Sequence, residues 1–211
     1  EVPPFQIVFN QSASASYVEG DELWAKMDIT NQGNLQDTQT IKYRVKNIGV
    51  VDSQDVTLGA GQTKTVNLSW SIQEGQAGQR NITFVSKNGT QWAWGWVPIT
   101  VKEDPHFDVS ITGTNSPVNE GNTLEVTTDV QNTGGVEGTQ NVELVFNGST
   151  VDSQQLTVGA GNTTSVTFTH TTSSSAGAET YTAEVVSQDD SASTQVDVCI
   201  PGWWWVPRQC P

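Results

Sequence analysis

The sequence predicts an all-β protein made of two tandem β-sandwiches, and three observations carry that prediction. The first is a duplication. Residues 51–66 read VDSQDVTLGAGQTKTV, and one hundred residues later residues 151–166 read VDSQQLTVGAGNTTSV, so the repeat sets the architecture. The second is composition. Thr, Ser, Gly, Asn and Gln crowd the chain, while strong helix formers never recur with a 3.6-residue period, which is a strand signature. The third is length: 211 residues divided by the duplication leave two units of roughly 100 residues, a size at which a β-sandwich closes its own core.

Taken in order, the chain opens with Glu1-Val-Pro-Pro, which reads as the start of a processed, mature form. Phe5, Ile7 and Phe9 alternate and predict a first strand with one buried face. The two prolines before it keep the chain extended and unable to donate ladder hydrogen bonds. Two roles are open to this strand: the first strand of its own sandwich, or an arm that joins the sheet edge of a neighbouring copy. Next, Glu19-Gly20, Leu23, Asp28 and Asn31-Gln-Gly33 align with Glu120-Gly121, Leu124, Asp129 and Asn132-Thr-Gly134, giving a turn, a strand and a closing turn in each copy. Strands are expected near 38–46 and 139–146, and the VDS run is read as a strand ending before a Gly-Ala-Gly turn that uses glycine's access to positive φ. Val66, Leu68 and Trp70, like Val166, Phe168 and His170, alternate into the core. Strands at 81–86 and 181–187 and a last one at 192–198 complete roughly seven per copy, the spacing of a sandwich. Between the copies, residues 101–107 (VKEDPHF) gather charge and proline at a domain boundary. The organisation is therefore a first sandwich over 1–103, a second over 104–198 and a Trp-rich loop over 199–211, and the shortness of the linker predicts a fixed end-to-end arrangement.

The Asn-x-Gly turn, the VDS run, the Gly-Ala-Gly turn and the closing Val196-Asp-Val198 strand together resemble the CARDB-type repeats of bacterial and archaeal surface proteins. The resemblance covers residues 107–198 closely and 5–102 more loosely. It implies immunoglobulin-like sandwiches and a role in adhesion or extracellular polymers. Its motifs are structural, so it implies a fold and a location and no catalytic residue.

The two copies differ where function is expected. Residues 88–98 (NGTQWAWGWVP) of the first copy answer only a shorter polar hairpin around Asp189-Asp190 in the second. Trp92, Trp94 and Trp96 are spaced by two, so a strand places all three on one face, either completing the first core or forming an aromatic contact strip. The chain ends CIPGWWWVPRQCP, and Trp203, Trp204 and Trp205 cannot all point the same way, so a closed loop presents at least one outward. Cys199 and Cys210 are the only cysteines, and their closeness predicts a local disulfide and an oxidising compartment. Such a loop reads as an assembly or attachment contact, since it limits its own conformations before binding and Trp is enriched at binding hot spots. Six sequons begin at Asn10, Asn67, Asn81, Asn88, Asn147 and Asn162 and mark candidate glycosylation sites in a secreted chain.

Several chemistries are not written in the sequence. A net charge of −14 with only nine Lys and Arg repels nucleic acid and anionic lipid. No apolar run approaches the ~20 residues that cross a bilayer. Two histidines, no Cys/His ligand spacing, no phosphate loop and no serine motif leave no metal site, no cofactor and no enzyme expected. Asp21-Glu22 and Asp189-Asp190 are carboxylate pairs in turns, of the kind that can donate oxygens to calcium. The reading is a non-enzymatic extracellular structural subunit of a surface assembly, filament-like or on a virion. Its partners are copies of itself, joined through Phe5, Ile7 and Phe9 and the two Trp-rich segments. The alternative is an adhesion module that stacks those tryptophans on surface glycans.

Overall fold

Leu23, Ala25, Met27 and Ile29 are buried while the alternate residues Glu22, Trp24, Lys26 and Asp28 face away, and this period of two recurs along nearly every strand of the computed structural model. The structure describes residues 5–9, 16–86, 97–202 and 207–211. Trp92, Trp94, Trp96, Trp203, Trp204, Trp205, Asn10 and Asn88 lie outside the described residues. The chain divides into two compact units, Glu1–Glu103 and Asp104–Pro211.

Unit one contains β1 (Phe5–Phe9), β2 (Ser16–Val18), β3 (Glu22–Asn31), β4 (Asp37–Val45), β5 (Gly49–Leu58), β6 (Thr63–Ser71), β7 (Gly78–Ser86) and β8 (Val97–Lys102). They form a three-stranded sheet, β1-β3-β6, and a five-stranded sheet, β2-β8-β7-β4-β5. Met27, Ile29, Ile41, Tyr43, Val56, Val66 and Ile82 are sealed between them. Unit two repeats the plan with β9 (Phe107–Thr114), β10 (Val118–Asn119), β11 (Thr123–Asn132), β12 (Gly138–Phe146), β13 (Ser149–Val158), β14 (Thr163–Thr171), β15 (Glu179–Val186) and β16 (Ser191–Cys199). Its sheets are β14-β11-β9 and β10-β16-β15-β12-β13, closed over Phe107, Leu124, Val126, Leu144, Phe168 and Val196. Both units are immunoglobulin-like sandwiches.

The strand that carries the VDS run ends at the Gly-Ala-Gly turn, as the sequence suggested, at Leu58 in unit one and Val158 in unit two. The run itself lies in the first half of β5 and β13, ten residues each, which form the outer edges of the larger sheets. A bulge follows Tyr43 in unit one and Leu144 in unit two, at matching places in the β4–β5 and β12–β13 hairpins. The second hairpin closes on Asn147-Gly148, both at positive φ, the geometry a two-residue turn needs to match strand twist. In the Gly-Ala-Gly turns the second glycine, Gly61 or Gly161, takes positive φ. The first is small for a different reason: a Cβ on Gly59 would stand 3.0 Å from Gln62 Oε1, and one on Gly159 2.8 Å from Asn162 Nδ2. Among the described residues each unit has eight strands rather than seven, because the short β2 and β10 pair in parallel with β8 and β16.

Candidate functional site

The residues that the duplication keeps hold the sandwiches closed. Asn31 is fully buried, and its Nδ2 donates to the carbonyls of Leu35 (2.8 Å) and Leu58 (2.9 Å) while its Oδ1 accepts from Gly33 N–H. Asn132 does the same with Val136, Val158 and Gly134, and also receives His106 N–H. The backbones of these asparagines meet the Gly-Ala-Gly turns, through Asn31 N–H to Gln62 O and Gly61 N–H to Asn31 O in unit one and the equivalent pair in unit two. The VDS aspartates join the two sheets. Asp52 Oδ2 accepts Ser69 N–H at 2.9 Å and Asp152 Oδ2 accepts Thr169 N–H at 2.8 Å, so a carboxylate on the edge of one sheet is tied to the edge strand of the other. Glu19 and Glu120 likewise accept Ala77 N–H and Gly177 N–H.

The Asp189-Asp190 hairpin is also architectural. Asp189 Oδ2 accepts Phe107 N–H at 2.8 Å and Gln140 Nε2 at 2.6 Å, and Asp190 Oδ2 accepts Val109 N–H at 3.0 Å. Ser187 Oγ donates to Phe107 O. The hairpin therefore finishes the outer edge of β9, which β11 pairs only on its inner side. These oxygens serve two backbone N–H groups and the Gln140 amide, which gives the carboxylate pair a structural use. Asp21 Oδ2 similarly accepts Val18 N–H. Among the described residues no group of three His, Cys, Asp or Glu side chains is placed to hold a metal ion.

Phe5, Ile7 and Phe9 are used within their own unit. Phe5 is buried, Ile7 and Phe9 pack against the core, and Phe9 stacks on Phe84 with ring centroids 5.1 Å apart. Their strand pairs with β3 from Phe5↔Asn31 to Phe9↔Met27. Of the two roles open to this strand, the structure shows the first, the opening strand of its own sandwich. Unit one has no carboxylate hairpin over this strand, because no Asp or Glu falls between Glu74 and Glu103.

Cys199 and Cys210 form the disulfide. Cys199 is fully buried, Ile200 and Gln209 exchange backbone hydrogen bonds of 2.9 and 3.1 Å, and Arg208 Nη2 donates to Pro117 O at 2.9 Å. The base of the C-terminal loop is thus secured to unit two. Of the described sequons, Asn67, Asn147 and Asn162 are exposed, whereas Asn81 is half-buried in a central strand.

The histidines do not meet. His106 lies 3.2 Å from Asp108 at the surface. His170 packs against Phe146 with centroids 4.7 Å apart, and Phe146 against Tyr181 at 5.1 Å. Partial burial there lowers the imidazole pKa from its usual 6.5. Sequence reasoning passed over Trp24. It is 54% exposed, the one large exposed aromatic side chain among the described residues. Its place between inward Leu23 and Ala25 was the available signal.

Residues 104–195 match the CARDB family model. Two Ig-like sandwiches, the second carrying this match, are the build of a surface- or adhesion-type module. Among solved structures, the chain is similar to the CARDB domain of a Pyrococcus furiosus protein determined in complex with di-metal ions, at 19% identity and TM-score 0.40, covering 44% of this chain and 93% of that one. It is also similar to fibronectin(III)-like modules of Clostridium thermocellum CbhA, at 12% identity and TM-score 0.34, over 92% of this chain and 94% of theirs. A third similarity is to red sea bream transglutaminase, at 13% identity and TM-score 0.33, where 94% of this chain spans 32% of that enzyme. No curated protein sequence matches the chain.

Proposed function

We propose that this chain is a non-enzymatic, extracellular structural module of a surface assembly, in which copies join through the Trp-rich segments 88–98 and 199–211. The observation that carries the reading is how the repeated polar side chains are used. Asn31, Asn132, Asp52, Asp152, Glu19 and Glu120 all accept or donate to backbone groups that close a sandwich. What the chain preserves in both copies is mechanical closure, while the two Trp-rich segments have no counterpart in the other copy. The CARDB match and the disulfide support the extracellular placement, since disulfides persist in oxidising compartments. No helix among the described residues is long and apolar enough to cross a membrane.

The test is the mass of the full chain in solution by light scattering over a range of concentration, beside a chain ending at Val198. The expected outcome is large particles for the full chain and, for the truncation, a monomer mass below the 22.8 kDa of the full chain. Monomers in both cases overturn the assembly reading. A glycan screen with Trp92, Trp94 and Trp96 replaced by Ala would then test the adhesion alternative.

A further inference from the structure

We infer that Asn67 carries an N-linked glycan whose first sugar ring lies on the indole of Trp24. The inference rests on the extracellular placement proposed above and adds a covalent partner for one surface of unit one.

The geometry comes from one sheet face. On β3 the inward residues are Leu23, Ala25 and Met27, so Trp24 and Lys26 point outward; on β6 the inward residues are Val66, Leu68 and Trp70, so Asn67 and Ser69 point outward. The register pairs Trp24 with Ser69 and Lys26 with Asn67. Trp24 and Asn67 are therefore diagonal neighbours on one face, about 7–8 Å apart between Cα atoms and within reach of an aromatic side chain. Ser69, the third residue of the Asn67 sequon, stands directly across from the indole.

The exposed indole calls for a cover, and its surroundings decide what kind. A stable protein partner buries about 800 Å² on each side around an apolar centre. Among the described residues the face around Trp24 is polar: Ser69 stands across from it, Glu22 and Lys26 flank it on β3, and Asn67 and Ser71 lie diagonally on β6. Val8, the other exposed apolar side chain of this sheet, sits across Asp28 and is separate from Trp24. A pyranose fits better. One face of the ring presents C–H groups to an indole, and its hydroxyls and acetamido group meet Lys26, Ser69 and water. Attachment at Asn67 also holds the ring at high effective concentration.

The other described sequons lack such a seat. Asn147 closes a hairpin tip, Asn81 is half-buried, and Asn162 Nδ2 stands against Gly159 in its turn. Unit two has Glu125 where unit one has Trp24, and Thr167 faces Thr127 in the corresponding ladder without a sequon. The co-reactant is a lipid-pyrophosphate-linked oligosaccharide. Asn67 Nδ2 attacks its anomeric carbon, a C–N bond forms and the C–O bond to pyrophosphate breaks. The lipid pyrophosphate leaves with the electron pair, and the amide gives one proton to the transferase's base.

The experiment uses the full chain secreted from a host that N-glycosylates, with Ser69→Ala as the sequon-less control. Ser69 contributes to the fold through its backbone N–H to Asp52, which alanine retains. Occupancy of Asn67 is read by peptide mass spectrometry, and Trp24 shielding by peptide-resolved oxidative footprinting. The expected result is an occupied Asn67 with Trp24 oxidised several-fold more slowly than in Ser69→Ala, the difference disappearing after enzymatic removal of the glycan. An unoccupied Asn67, or equal Trp24 oxidation with and without the glycan, overturns the inference. Light scattering on the same preparations keeps the two readings apart. Assembly with an unshielded Trp24 removes only the glycan seat, and a shielded Trp24 in a monomer removes only the assembly.

Discussion

Asn132 carries out at one position what would otherwise take several residues. Its side chain supplies two donors to the Val136 and Val158 carbonyls and an acceptor for the Gly134 and His106 N–H groups, with no exposure to water. Alanine there leaves those buried groups unpaired, each costing on the order of 1–3 kcal/mol before relaxation. Asn132→Ala is therefore expected to lower unit-two stability by about 3 kcal/mol in urea unfolding, with the slope unchanged. Gly134 is constrained beside it, since a Cβ would collide with the backbone carbonyl oxygen of Asp104. His170 makes a second residue-scale prediction. Its folded pKa lies below the usual 6.5 because burial disfavours the cation. The unfolded chain thus takes up the proton more readily, so this contribution is complete above the ordinary imidazole pKa and is lost as pH falls below it. Thermal midpoints measured between about pH 5 and 8 should decline on the acid side, and His170→Phe should flatten that decline.

At the scale of elements, the two units solve the same edge problem differently. β9 is an edge strand whose outward N–H groups at Phe107 and Val109 are received by Asp189 and Asp190, 82 and 81 positions further along the chain. Covering an edge in this way removes a template for unwanted strand pairing. Asp190→Ala is expected to cost about 1–2 kcal/mol, discounted for the exposed carboxylate, and to speed amide exchange at Val109 more than at β11 residues. If exchange at Val109 is unchanged, the hairpin does not clamp the strand. β1 has no such carboxylates, and the segment that follows Ser86 in unit one carries tryptophans in their place. The segment between the last two strands therefore supplies an edge clamp in unit two and, in sequence, the candidate contact residues in unit one.

At the scale of the whole molecule, each unit has its own core of inward residues, and the chain carries a net charge of −14. Salt in the light-scattering experiment weakens the repulsion between copies that such a charge imposes. The sequence by itself determined that there are two sandwiches, where most strands run and which cysteines pair. Duplication, period-two alternation and short Cys spacing are local patterns, each read within a few residues. The tertiary structure alone decided what the polar residues do. Asp52 reaches β6 and Asp190 reaches β9 only once two sheets face each other, and these contacts span 17 and 81 positions. The same holds for Trp24 beside Asn67: their meeting depends on the β3–β6 register, which joins residues some forty positions apart. Alternation tells which face of a strand a residue takes; the register of its neighbours decides what it meets there.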